Sequence, residues 1–186
     1  AMKMCGKEVP IMLSLTVADA AGRTLSGQTI EAFLASVLNR KILSVGLNCS
    51  FGASQMKPFI KQLSKIAPCY VSAYPNAGLP NALGGYDQTP TQMAECVKEY
   101  IDEELVNIIG GCCGTTNEYI AEFPALVEGR EPRKPAEYPT DLWLSGLERL
   151  VVKPDMNFIN IGERCNVAGS RKFLRLIKEK NYAEAL

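Results

Sequence analysis

Cys49 and the adjacent pair Cys112 and Cys113 are the residues of this chain whose type and spacing could carry chemistry. Cys49 closes the run Gly46-Leu47-Asn48-Cys49, and 63 positions later stands Gly110-Gly111-Cys112-Cys113-Gly114. Three thiolates gathered on one Zn2+ would leave its fourth tetrahedral position open, the arrangement of a catalytic zinc rather than a closed structural one. The flanking glycines permit the sharp backbone turn that lets two neighbouring side chains reach the same ion. The competing reading is plain packing, because cysteine is among the residue types most often buried. Vicinal cysteines bracketed by glycine fill a core poorly, which favours a ligand set without deciding it. A vicinal disulfide would be strained, and a reducing compartment opposes it. Cys5, Cys69 and Cys96 fall at a terminus, a strand start and a helix face with no partner motif, and read as packing residues.

Composition excludes several other kinds of chemistry. The 186 residues are 47% apolar and 22% charged, an ordinary globular balance for one domain or slightly more. Twenty basic residues face twenty acidic ones, so no long-range field draws phosphate backbones or anionic lipid, and neither nucleic acid nor a membrane surface is an expected partner. The chain has no histidine, which excludes Ser-His and Cys-His catalysis and an imidazole pH switch. Seven cysteines, an odd number, behind a start without a secretory signal fit a reducing, cytoplasmic setting. Apolar stretches such as 9–21 are interrupted by Ser14, Thr16 and Asp19 before the ~20 residues of a membrane span are reached.

The elements that must position the cysteines follow from periodicity. Four near-continuous apolar runs, 9–17, 42–47, 69–74 and 106–109, predict strands covered on both faces. Between them the spacing predicts helices over 30–38 and 56–66. Thr89-Pro90-Thr91-Gln92 is a capping box with proline at the first helical position and starts a helix that runs to about Glu104; Thr115 with Glu118 forms a second box opening a helix toward Val127. The order β-α-β-α-β-α-β-α argues for parallel pairing, in either a barrel or a doubly wound sheet. In both, function gathers at the C-terminal strand ends, and that is where Cys49, Cys112 and Cys113 fall. At Gly129 the composition changes: the eleven residues from Gly129 to Pro139 hold three prolines and mixed charge, which reads as an extended linker. A fifth strand is expected over 156–162, a loop over 163–169 and an amphipathic helix over 170–180.

Cys49 in its Gly-Leu-Asn-Cys setting, followed by Gly-Gly-Cys112-Cys113-Gly, resembles the zinc motif of the homocysteine S-methyltransferase family. The stretches 19–29 and 74–81 are similar to the cobalamin-using members, and Asn160-Ile-Gly-Glu-Arg-Cys-Asn-Val-Ala-Gly-Ser-Arg-Lys-Phe173 resembles the entry of their methyltetrahydrofolate-binding barrel. The resemblance implies an α/β chain: residues 1–128 as the C-terminal half of a (β/α)8 TIM-type barrel that binds homocysteine, 129–155 as an inter-domain linker, and 156–186 as the first βα unit of a second, pterin-binding barrel. The first four strands would then lie before Ala1 and most of the folate barrel after Leu186, and the piece alone would be inactive.

Residue by residue, the resemblance makes Cys49, Cys112 and Cys113 the zinc ligands, with the homocysteine sulfur in the fourth place. Gly169, Ser170 and Arg171 would touch the folate, with Glu163 and Asn166 nearby. Asn48 would either support the zinc surroundings or serve a turn, and Cys165 would belong to the pterin loop. The implied cofactors are Zn2+, 5-methyltetrahydrofolate as methyl donor and methylcobalamin carried by another module of the same protein. A free thiol titrates near pKa 8.5, so coordination, which strips the proton, is what would make homocysteine a nucleophile at neutral pH. Two other readings stand beside this one: a cobalamin-independent homocysteine methyltransferase using a betaine or sulfonium donor, and a non-catalytic zinc or thiol module.

Overall fold

The computed structural model of the chain describes Gly6, residues 8–159 and residues 167–185. The chain divides into two units, Ala1–Val152 and Lys153–Leu186.

The first unit is built on a four-stranded sheet of β1 (Met12–Leu15), β2 (Ser44–Gly52), β3 (Tyr70–Asn76) and β4 (Ile108–Ile109). Every pair is parallel, and the order along the sheet is the order in the chain. Each crossover contains one helix: α1 (Ile30–Val37), α2 (Ala53–Ile66) and α3 (Pro90–Asp102); α4 (Asn117–Val127) follows β4. A doubly wound sheet reverses its strand order at a switch point. An unreversed run of βα units is instead consistent with part of a TIM barrel.

Apolar sequence explains the packing. Ser44, Val45, Gly46 and Leu47 of β2 are all buried, as parallel strands covered on both faces require. Leu34, Met56, Ile60, Leu63, Met93, Val97 and Tyr100 supply the helical side of the core, each no more than 1% exposed. Full burial of one such aliphatic side chain contributes roughly 1.5–3 kcal/mol. The one polar atom of Tyr100 is satisfied by donating its hydroxyl to the carbonyl of Ala53. Cys69 belongs to this core and Cys96 packs against it; Cys5 lies outside the described residues.

Two details differ from the sequence expectation. The box at Thr89 forms as expected, with Thr89 and Gln92 bonded reciprocally. The cap of α4 falls one residue later than expected, on Thr116, whose hydroxyl accepts the Glu118 N–H at 3.3 Å. Thr115 is engaged elsewhere, donating its hydroxyl to the Cys112 carbonyl at 2.6 Å. The first strand is also shorter than the apolar run, because Pro10 has no N–H to give the ladder.

The stretch 129–155, which the resemblance implies is an inter-domain linker, holds structure of its own. Residues 130–140 have no regular secondary structure, yet Arg133 is only 3% exposed. Its guanidinium donates to the carbonyls of Ser64, Ala67 and Cys69, with distances of 2.6–3.0 Å. These carbonyls close the C-terminus of α2 and open β3, where a helix end favours a cation. The Arg133 carbonyl in turn accepts from Asn107 at 2.6 Å, so the segment is fastened across the N-terminal end of the sheet. An antiparallel hairpin of β5 (Leu142–Ser145) and β6 (Arg149–Val152) follows. It docks on the start of α1: Thr29 N–H donates to the Leu147 carbonyl at 2.9 Å, and the Ser145 hydroxyl to the Ala32 carbonyl at 2.6 Å.

In the second unit, Ser170 caps α5 (Arg171–Lys178) by accepting the Phe173 N–H at 3.2 Å, and α6 (Tyr182–Ala185) follows. Residues 156–159 form no strand, and the rest of the fifth-strand expectation, 160–162, lies outside the described residues. No helix among the described residues is long and apolar enough to cross a membrane.

Candidate metal centre

Cys49 sits in the C-terminal half of β2 and is aimed by an unusual backbone. Cys49 and Ser50 both have left-handed φ, +60° and +63°. Two consecutive non-glycine residues there are costly and persist only where surrounding structure imposes them. They form an irregularity in the ladder: Asn48 pairs with Tyr74 and Gly52 with Asn76, so β2 spends two more residues than β3 over the same interval. The bend carries the Cys49 sulfur toward the loop after β4. Asn48, just before it, accepts from the Ser14 hydroxyl at 2.7 Å and the Thr16 hydroxyl at 3.4 Å, tying the bend to the end of β1.

The Cys112-Cys113 loop is strapped to the end of β3 by three main-chain groups. Cys112 N–H donates to the Pro75 carbonyl, Ala77 N–H donates to the Cys113 carbonyl, both at 2.9 Å, and Cys113 N–H donates to Asn76 Oδ1 at 3.2 Å. Asn76 is 3% exposed. Glycine is required around the pair for close approach. A Cβ on Gly110 would stand 2.6 Å from the Tyr74 ring, and one on Gly114, whose φ is +79°, would stand 2.5 Å from Cγ of Tyr86.

The result is a triangle of sulfurs. Cys49 Sγ lies 2.7 Å from Cys112 Sγ and 3.4 Å from Cys113 Sγ, and the two neighbours are 3.9 Å apart. Among the described residues these are the three whose ligand atoms cluster in a way that could hold a metal ion. Zinc–sulfur bonds of ~2.3 Å at tetrahedral angles place sulfurs ~3.8 Å apart. Two edges of the triangle are within half an ångström of that, and the Cys49–Cys112 edge would open by about 1 Å. The donor set fits zinc, which soft thiolates select. Cys113 is exposed and the other two half-buried, so the cluster faces solvent.

The sulfurs are electrostatically unequal. Burial pushes the Cys49 thiol up, but hydrogen bonds from Cys112, Cys113 and the Ser50 and Cys113 backbones outweigh it and hold Cys49 below the ordinary thiol range. Burial and then the bond to Cys49 push Cys112 up to about 11. Tyr86 faces the same cluster: burial first, then a hydrogen bond to Cys113 and the negative field of the three sulfurs, raise its phenol, so the oxygen keeps its proton.

Of the other residues singled out in the sequence, Gly169 is exposed in a turn, Ser170 is engaged as a helix cap and Arg171 is an exposed first-turn residue. Glu163, Asn166 and Cys165 lie outside the described residues. Asn76 and Tyr86 were not anticipated. Asn76 is the last residue of β3, at the same C-terminal strand ends where the cysteines fall, which is the signal that could have found it; Tyr86 lies in a loop and carries no such signal.

A solvent-facing triangle of thiols gathers at the C-terminal ends of β2 and β4, on either side of β3, and could hold a metal ion. The homocysteine S-methyltransferase family model matches residues 1–127, and the chain belongs to that family of enzymes. The cluster of Cys49, Cys112 and Cys113 is consistent with the zinc site typical of the family.

Proposed function

We propose that the chain supplies the homocysteine-activating zinc site of a cobalamin- and folate-using methionine synthase, with Cys49, Cys112 and Cys113 as the protein ligands. The observation that carries the reading is the convergence of the three sulfurs from two distant segments in a chain of this family. When bound, zinc would lower the pKa of a coordinating substrate thiol, giving a nucleophile at neutral pH.

The chain's own part is positioning. The β2 bend and the strap from β3 hold the three sulfurs in one triangle, and the exposure of Cys113 leaves a side open for the incoming thiol. The hydrogen bonds into Cys49 hold its thiol below the ordinary range. The resemblance of 19–29, 74–81 and 160–173 to cobalamin-using members supports methylcobalamin as the immediate donor, re-methylated from 5-methyltetrahydrofolate near Gly169, Ser170, Arg171, Glu163 and Asn166.

X-ray absorption on the zinc-loaded full-length protein tests the site. Three sulfurs and one lighter ligand, becoming four sulfurs on addition of homocysteine, is the expected outcome. Four sulfurs before substrate is added would instead indicate a closed structural zinc. Assay with methylcobalamin, a betaine and a sulfonium donor in parallel identifies the donor, and methionine formed only from the corrinoid is expected.

A further inference from the structure

Along β2, Val45 and Leu47 belong to the core that the helices pack on, so Gly46 and Asn48, which alternate with them, lie on the opposite face of the sheet. That face is filled at the level of Gly46, where a Cβ would stand 2.0 Å from the Ser72 hydroxyl oxygen. One step further toward the C-terminal strand ends, Asn48 stands in register with Tyr74, whose ring edge covers Gly110 two residues before Cys112. Asn48 is half-buried, and its amide is held from one side: the Ser14 hydroxyl at 2.7 Å and the Thr16 hydroxyl at 3.4 Å both donate to Oδ1. Its two side-chain N–H groups have no acceptor among the described residues, and the nitrogen is open to solvent rather than enclosed.

We propose that Asn48 is a substrate-binding residue, its side-chain amide donating to the carboxylate of the homocysteine whose sulfur enters the metal centre. This inference rests on the homocysteine reading given above. The amide oxygen is already taken by two hydroxyls, so what the side chain has left to offer is a pair of donors. Donors cannot hold the substrate's ammonium group. The carboxylate is the acceptor homocysteine carries besides its sulfur, and a charged acceptor makes the stronger hydrogen bond. Because Asn48 adjoins Cys49 in the chain, one stretch of β2 supplies both a candidate metal ligand and the group that holds the far end of the same substrate. Ser14 and Thr16 act from behind by fixing which edge of the amide faces outward.

The test is calorimetric titration of full-length, zinc-loaded protein with two thiols: homocysteine, and homocysteamine, the same aminothiol without the carboxylate. Asn48→Asp keeps the oxygen that Ser14 and Thr16 donate to and replaces the N–H donors with a second, negative oxygen. It is expected to bind homocysteine about tenfold more weakly than the wild type and homocysteamine no more weakly. Asn48→Ala is expected to show the same selective loss to a smaller degree, so the comparison survives a folding defect in either variant. With Co2+ in place of zinc, the thiolate-to-cobalt absorption of both variants should match the wild type, because the amide holds the substrate and not a ligand sulfur. Equal weakening of the two thiols, or unchanged affinity for homocysteine in variants that fold and hold metal, would overturn the proposal. Absence of thiolate-to-cobalt absorption in the wild type would instead overturn the zinc reading, and this inference with it.

Discussion

Asn76 grips Cys113 through the main chain, its Oδ1 accepting the Cys113 N–H at 3.2 Å while the next residue, Ala77, donates to the Cys113 carbonyl at 2.9 Å. One buried amide thereby fixes the loop of two candidate ligands to a strand end. Asn76→Ala removes the acceptor and leaves a backbone donor unmatched, at an expected cost of about 1–2 kcal/mol in denaturant unfolding. Zinc affinity should fall with it, and Asn76→Asp, which keeps the acceptor, should lose less.

Cys112→Ala should abolish zinc binding and methyl transfer in the intact protein. Cys96→Ala, at a half-buried position on α3 outside the sulfur triangle, should leave zinc stoichiometry unchanged. Metal analysis of both purified variants checks the contrast; equal zinc content in the two would contradict it.

Zinc binding should release protons and tighten with rising pH. Cys112, pushed up to about 11, holds its proton at pH 7 in the metal-free protein, whereas Cys49 lies below the ordinary thiol value. A divalent ion must displace the remaining thiol protons, so apparent affinity rises from about pH 6 to about pH 9. Calorimetric titration in buffers of different ionisation enthalpy measures the number released, and pH-independent affinity would exclude thiolate ligation.

Arg133→Ala should destabilise the fold without touching the metal centre. Four hydrogen bonds to carbonyls at the N-terminal end of the sheet disappear together. A loss of about 3 kcal/mol is expected for a buried network of this kind. Unfolding should shift while the cobalt spectrum of the folded variant stays that of the wild type.

Glu103 bridges Lys57 and Lys61 on the neighbouring helix, and bonds first from Lys57 and then from Lys61 lower its carboxyl to about 2. A folded-state value below the unfolded one of about 4.3 means that the charged form favours the fold. The contribution is complete above that value and is lost as pH falls toward about 2. The stability difference between wild type and Glu103→Gln should therefore close over that interval.

The parts of the molecule governed by periodicity were legible in the sequence. Helix α2 shows its apolar face in Met56, Ile60 and Leu63, and Thr89 with Gln92 announces α3. Cys49, Cys112 and Cys113 could be paired because both segments end strands that a parallel sheet brings to one edge. What stayed hidden depends on contacts distant in the chain. Thr115 gives up the cap of α4 because the Cys112 carbonyl takes its hydroxyl. The hairpin 142–152 follows a proline-rich charged stretch, and its support comes from α1, more than a hundred residues earlier. The left-handed pair Cys49 and Ser50 has no signature at all, since the residues that announce such backbone are glycine and asparagine.

Arg133 and the sulfur triangle occupy opposite poles of the same short strands, and this separation sorts the damage that mutation can do. Errors near the arginine will surface as poor yield and rapid turnover of the polypeptide, whereas loss of a half-exposed sulfur such as that of Cys112 will leave folded material that no longer binds metal. Expression level and catalytic output are thus separately inheritable traits, each open to selection without the other.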